Sequence, residues 1–139
     1  MAHEFQKFMI KEYGHWSVYL HKNQYFLGRV YIWAKREDAV DLMQMTAEER
    51  EELFDIGRAV NKALSELFQP DLMNYAALGN ISTHLHLHVI PRYSSSRNFA
   101  GQTFVDERWG KNYAPYNYDF ETHENVLAKI RDALKKKLK

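Results

Sequence analysis

Three of the seven histidines stand in strict alternation with apolar residues along Thr83-His84-Leu85-His86-Leu87-His88-Val89-Ile90-Pro91-Arg92. Successive side chains of a β-strand point to opposite faces. A strand here turns His84, His86 and His88 to one side and Leu85, Leu87 and Val89 into a core. A helix would rotate each successive histidine by about 200° and scatter the row. Pro91 cannot donate to a ladder and is expected to end the pairing. Three readings compete. The first is a solvated, histidine-rich face. The second is a metal site, but i and i+4 lie about 13 Å apart along a strand, while zinc needs each nitrogen at about 2 Å. One ion could take two of these rings, not all three. The third is a row of imidazoles along a polyphosphate, with one ring attacking phosphorus and its neighbours donating to phosphoryl oxygens. Imidazole suits that work because both of its protonation states are accessible near neutrality.

The motif His-Leu-His-Leu-His-Val-Ile resembles the His-φ-His-φ-His-φ-φ signature (φ apolar) of the histidine-triad, or HIT, nucleotide hydrolases and transferases. Gly79-Asn80 before it and Pro91-Arg92 after it resemble that family's flanks. Leu27-Gly28-Arg29-Val30-Tyr31-Ile32 with Lys35-Arg36 resembles its Pro-Gly-His strand and basic turn. Asp41-Leu42 and Thr46-Ala47-Glu48-Glu49 resemble the start of its long helix. The resemblance runs from about residue 16 to about residue 92. It implies an α+β fold, an antiparallel sheet of about five strands with helices packed on it. The domain would span 1–139, with 93–139 as a C-terminal loop and helix.

The resemblance assigns the nucleophile to His86 and phosphoryl-holding roles to His84 and His88. It implies attack on the α-phosphate of a dinucleoside polyphosphate or related nucleotide through a covalent nucleotidyl-histidine. A nucleoside phosphoramidate hydrolase and a nucleotide-binding signalling module with little turnover are the alternatives. A metal-dependent enzyme using two of the histidines is a further rival. No cofactor is expected beyond a divalent cation that some members use with the substrate, and a homodimer is expected. Asn80 stands where the family often has a phosphate-contacting glutamine, and Thr83 is near enough to offer a hydroxyl. Arg29 replaces the family's fourth histidine; it cannot lose its proton, so it could bind phosphate or support the triad. The ribose-binding Asp or Asn usually lies eight residues earlier, where this chain has His21; Asn23, six earlier, is the preferred candidate. Trp16 or Leu27 is expected beside the nucleobase.

Several elements must position these groups. Residues 2–12, with Phe5, Phe8 and Met9, suggest a short amphipathic helix. Trp16–Leu20 and Arg29–Ala34 read as an antiparallel pair around a polar 21–25 turn. Thr46 and Glu49 have capping-box spacing. Leu53, Ile56, Val60, Leu64 and Leu67 then form one helical stripe, whose glutamates suit a solvated face. Leu72–Leu78 reads as a strand. Ser94–Asn98 reads as a mobile loop, and 99–120 shows no period, its aromatics reading as packing or interface residues. Thr122 is expected to cap a last helix, with Leu127, Ile130, Leu134 and Leu138 inward and a lysine run at its end.

The chain has 139 residues, 45% hydrophobic and 27% charged, with a formal net charge of +1. That near-neutral balance argues against a nucleic-acid partner. The absence of cysteine excludes disulfides and thiolate metal sites. No apolar run approaches the roughly 20 residues of a membrane span, and the N-terminus lacks a signal-peptide core. A cytoplasmic protein is the expectation.

Overall fold

The computed structural model describes residues 6–139. Strands β1 (Met9–Glu12), β2 (Trp16–Leu20) and β3 (Val30–Ala34) lead to helix α1 (Ala47–Phe68). Strands β4 (Leu72–Ala76) and β5 (His86–Arg92) follow, then the hairpin strands β6 (Arg97–Phe99) and β7 (Gln102–Phe104), and helix α2 (Glu124–Lys137). The main sheet has the order β1-β2-β3-β5-β4, and every neighbouring pair is antiparallel. The fold is the expected α+β class, a five-stranded antiparallel sheet with two α-helices, and the β6–β7 hairpin stands apart from that sheet. No helix is long and apolar enough to cross a membrane among the described residues.

Alternation along the strands separates the two faces of the sheet. Val18, Leu20, Val30, Ile32, Ala34 and Val89 are buried in one cluster with Leu53, Ile56, Val60 and Leu64 of α1 and Ile130 and Leu134 of α2. Each of the Val, Leu and Ile side chains contributes about 1.5–3 kcal/mol on burial, so both helices are held to this face. Helix α1 starts as its sequence directs. Thr46 Oγ1 accepts from the Glu49 backbone N–H at 3.1 Å, and Glu49 Oε1 accepts from the Thr46 N–H at 2.8 Å. Glu49 is not on a solvated face, however. It is buried and takes Arg36 Nε at 2.9 Å; the guanidinium holds its carboxyl below the usual range.

Four other expectations change. The described part of the 2–12 segment is not an amphipathic α-helix: residues 6–8 make one 3-10 turn, and Met9 and Glu12 then pair with Tyr19 and Ser17 as an outer strand with a bulge, because ladder pairing overrides a weak helical period. Phe5 lies outside the described residues. Pro91 does not end β5, which pairs with β4 through Met73↔Pro91 and Leu72↔Arg92. The Arg92 carbonyl accepts from Asp71 N–H at 2.9 Å, so residue 91 aims its backbone nitrogen the other way. There the β3 ladder has already stopped at Val30↔Val89, and no donor is missed. Part of the expected 94–98 loop belongs to the β6–β7 hairpin. Arg97 in it donates Nε to the Phe68 carbonyl at 2.9 Å, closing the end of α1. Finally, α2 is capped by His123, whose side chain accepts from Asn125 N–H, rather than by Thr122.

Candidate active site

The face of the sheet away from the helices carries the histidine row. Strand register puts Tyr31 opposite His88 and Trp33 opposite His86. His84 precedes β5 but keeps to the same side: Trp33 stacks on its ring at 4.3 Å and on the His86 ring at 5.4 Å between centroids. The His86 and His88 rings are 4.9 Å apart.

Three contacts fix where the protons sit, because each partner can play only one part. Ala34 O accepts from His84 Nε2 at 2.6 Å. His84 O accepts from His86 Nδ1 at 2.6 Å, so neutral His86 has its lone pair on Nε2. Arg29 Nη2 donates to His88 Nδ1 at 3.2 Å, so His88 carries its proton on Nε2. His21, at the end of β2, lies 5.7 Å from His88 between centroids. Burial, then the Arg29 charge, lowers both rings to about 3. Both are neutral in the fold.

The 21–29 loop that carries Arg29 is held from inside. Gln24, fully buried, donates to the carbonyls of His21 and Arg29 at 2.8 and 2.9 Å and accepts from Gly28 N–H at 2.7 Å. Gly28 has φ +87°, and a Cβ there would meet Leu64 Cδ2 at 2.7 Å. Only glycine fits the turn that aims Arg29 at β5.

The lower part of this face is covered by the segment after β7. Arg92 anchors it. Its Nε donates to Asp106 at 2.8 Å, and its terminal nitrogens reach Asn74 Oδ1 and the carbonyls of Lys111 and Arg108. Tyr113 and Tyr116 pack with Phe26 and Ile90 in a second apolar cluster. Their rings face the Arg29 guanidinium at 5.5 and 5.2 Å. The aromatics of this segment thus pack against the site's own arginine.

The structure brings His84, His86, His88 and Arg29 together. Asn80 and Thr83 are exposed in the turn before the row and make no side-chain hydrogen bond among the described residues. Asn23 is engaged elsewhere: Oδ1 accepts from Tyr25 N–H at 2.8 Å, and Nδ2 donates to the Asn117 and Tyr118 carbonyls. Its amide ties the loop to the C-terminal segment. Trp16 and Leu27 are buried in the helix-side core, and Trp16 donates its indole N–H to Glu49 O; neither faces the row. His21 stood in the sequence only as the residue eight before Arg29, and Tyr31 and Trp33 were given no role. Their signal was alternation: Arg29, Tyr31 and Trp33 are the complement of the core set Val30, Ile32, Ala34. Among the described residues no group of three or more His, Cys, Asp or Glu is arranged to hold a metal.

No curated protein matches the chain. Solved structures do. A histidine triad protein from Bradyrhizobium japonicum is 20% identical with a TM-score of 0.79, covering 98% of this chain and 95% of that one. A histidine triad protein from Sinorhizobium meliloti is 18% identical at 0.80, covering 99% and 96%. One from Marinobacter aquaeolei is 25% identical at 0.71, covering 98% and 93%. The model of the HIT domain matches residues 3–95, well over half of the sequence. With the histidine row, its register and this match in agreement, the chain belongs to the HIT domain family.

Proposed function

We propose that this protein is a nucleotide hydrolase or nucleotidyl transferase acting on the α-phosphate of a dinucleoside polyphosphate or related nucleotide, with His86 as nucleophile. One observation carries the reading: His86 Nδ1–H is held by the His84 carbonyl at 2.6 Å, which leaves Nε2 as a lone pair in the middle of the row. In the first step Nε2 bonds to the α-phosphorus while the bond to the bridging oxygen breaks, and that electron pair leaves with the departing phosphate. The substituted ring is then cationic, and the His84 carbonyl stabilises it. In the second step water bonds through oxygen to phosphorus, the N–P electron pair returns to Nε2, and one water proton passes to solvent. An acceptor other than water makes the same step a transfer.

Support for the phosphate chain comes from the Nε2–H of His88, the hydroxyl of Thr83, the amide of Asn80 and the positive charge of Arg29. Asn23 supports the site by tying down its loop. These steps need no resident cofactor; a divalent cation enters with the polyphosphate. Replacing His86 with Ala is expected to lower dinucleoside polyphosphate hydrolysis by on the order of 10³-fold or more. Unchanged hydrolysis would overturn the assignment, and a wild-type protein that binds nucleotides without turnover would establish the signalling-module alternative.

We also propose that two copies pair through β4 and α1. Strand β4 is an outer strand of the sheet, and Leu72, Tyr75, Met43 and Phe54 are exposed around it. Tyr75, Met43 and Phe54 line a hollow of about 740 Å³. A second copy would satisfy the open edge and cover this apolar surface.

A further inference from the structure

The two buried arginines of the histidine face are partnered differently. Arg92 has Asp106. Arg29, only 3% exposed, has no carboxylate beside it among the described residues. Its neighbours are His88 Nδ1 and the rings of Tyr113 and Tyr116, and its Nε and Nη1 have no hydrogen-bond partner. The groups facing His88 are equally short of acids. They are Arg29 from the loop before β3, Tyr31 from β3, His21 just after β2, and His86 on its own strand, with Ala76 opposite on β4.

A guanidinium is a permanent cation without an acceptor. Its contact with His88 therefore runs in one direction, into the Nδ1 lone pair. A proton on Nδ1 would break that contact and set a second positive charge against Arg29 in a buried place. His88 can hold a phosphoryl oxygen through Nε2–H, but it has no second proton to give.

We infer that Arg29 is a positioning and specificity-determining residue that fixes His88 as a neutral N–H donor and so restricts the site to leaving groups that depart as stable anions. This rests on the reading of His86 as nucleophile. When a phosphoanhydride is cleaved, the electron pair of the broken bond settles on a phosphate oxygen and needs no proton. When a P–N bond is cleaved, the pair settles on nitrogen, which must be protonated as it leaves. The groups near enough to help are not equipped for it. His84 has its Nε2–H engaged by Ala34 O, His21 is held neutral by burial and by Arg29, and burial raises the Tyr31 phenol far above its ordinary value. General acid help is worth on the order of 10²–10⁴-fold, and this site withholds it.

The test compares nucleoside 5′-derivatives that share one nucleotidyl group and differ in leaving group: an anhydride, aryl esters of rising basicity, and a phosphoramidate. The wild type is expected to prefer the anhydride over the phosphoramidate by about 10²-fold or more in kcat/KM. Arg29→His, which restores a ring able to release a proton, should narrow that ratio by about tenfold, and Arg29→Lys should keep it. A wild type that cleaves both classes at similar rates, or an Arg29→His variant with the ratio intact, would overturn the inference. Nitrogen-15 NMR of His88 in the unmodified protein decides the contact without any turnover. A bare Nδ1 and a protonated Nε2 from about pH 8 to about pH 5 are expected; a proton on Nδ1 in that range contradicts it. If no nucleotide is cleaved, the hydrolase reading falls while the NMR result still judges Arg29.

Discussion

At the scale of single residues, one-way partners decide what each imidazole can do. Backbone carbonyls only accept and a guanidinium only donates, so His84 is left with Nδ1, His86 with a bare Nε2 and His88 with an Nε2–H, although their sequence spacing is uniform. The same buried charge makes a pH prediction. His88 and His21 are lowered to about 3 by burial and then by Arg29, whereas in the unfolded chain each takes up a proton near pH 6.5. Stability should be full above about pH 6.5 and fall as pH drops from there towards 3, by up to about 1.4 kcal/mol per pH unit for each ring. Urea unfolding at about pH 7.5 and 5.5 checks this; the midpoint should be lower at the acid pH, and equal midpoints would contradict it. The triad itself was legible from period two. The bonding of Asn23 was not readable, because spacing cannot show that an amide is bonded to a backbone 94 residues away. Trp33 and Tyr31 could have been read from the same alternation that gave the core of β3.

At the scale of elements, the site depends on segments far from it in sequence. The capping box and stripe of α1 were visible because they are local patterns, and the structure keeps both. Thr46→Ala should cost about 1 kcal/mol in chemical denaturation. The 105–120 segment carries no period because Arg92 and the Phe26 cluster, rather than a repeating apolar face, hold it in place. Its placement was therefore not readable from the residues alone. Asp106 and Arg92 are both buried, so Asp106→Ala leaves an unpaired charge inside the protein. A loss of about 3–5 kcal/mol is expected. A variant as stable as the parent would show that the pair does not anchor the segment.

At the scale of the whole molecule, the sheet divides the work. One face and both helices make the core; the other face presents the histidine row under a short C-terminal strap. Exposed Phe54 and Leu72 beside the outer strand β4 give the pairing of two copies its test. Phe54→Glu together with Leu72→Glu should sediment as a monomer with unchanged helix content, and a wild type that is already monomeric would end that proposal. His86 is the centre of the proposed chemistry. Its most direct measurement is rapid mixing with a dinucleoside polyphosphate, an alkaline quench that spares the N–P bond, and intact-mass analysis. The wild type should gain one nucleotidyl group, mapped to His86 and absent from His86→Ala. Steady turnover with no adduct at His86, or an adduct that persists in His86→Ala, would contradict it.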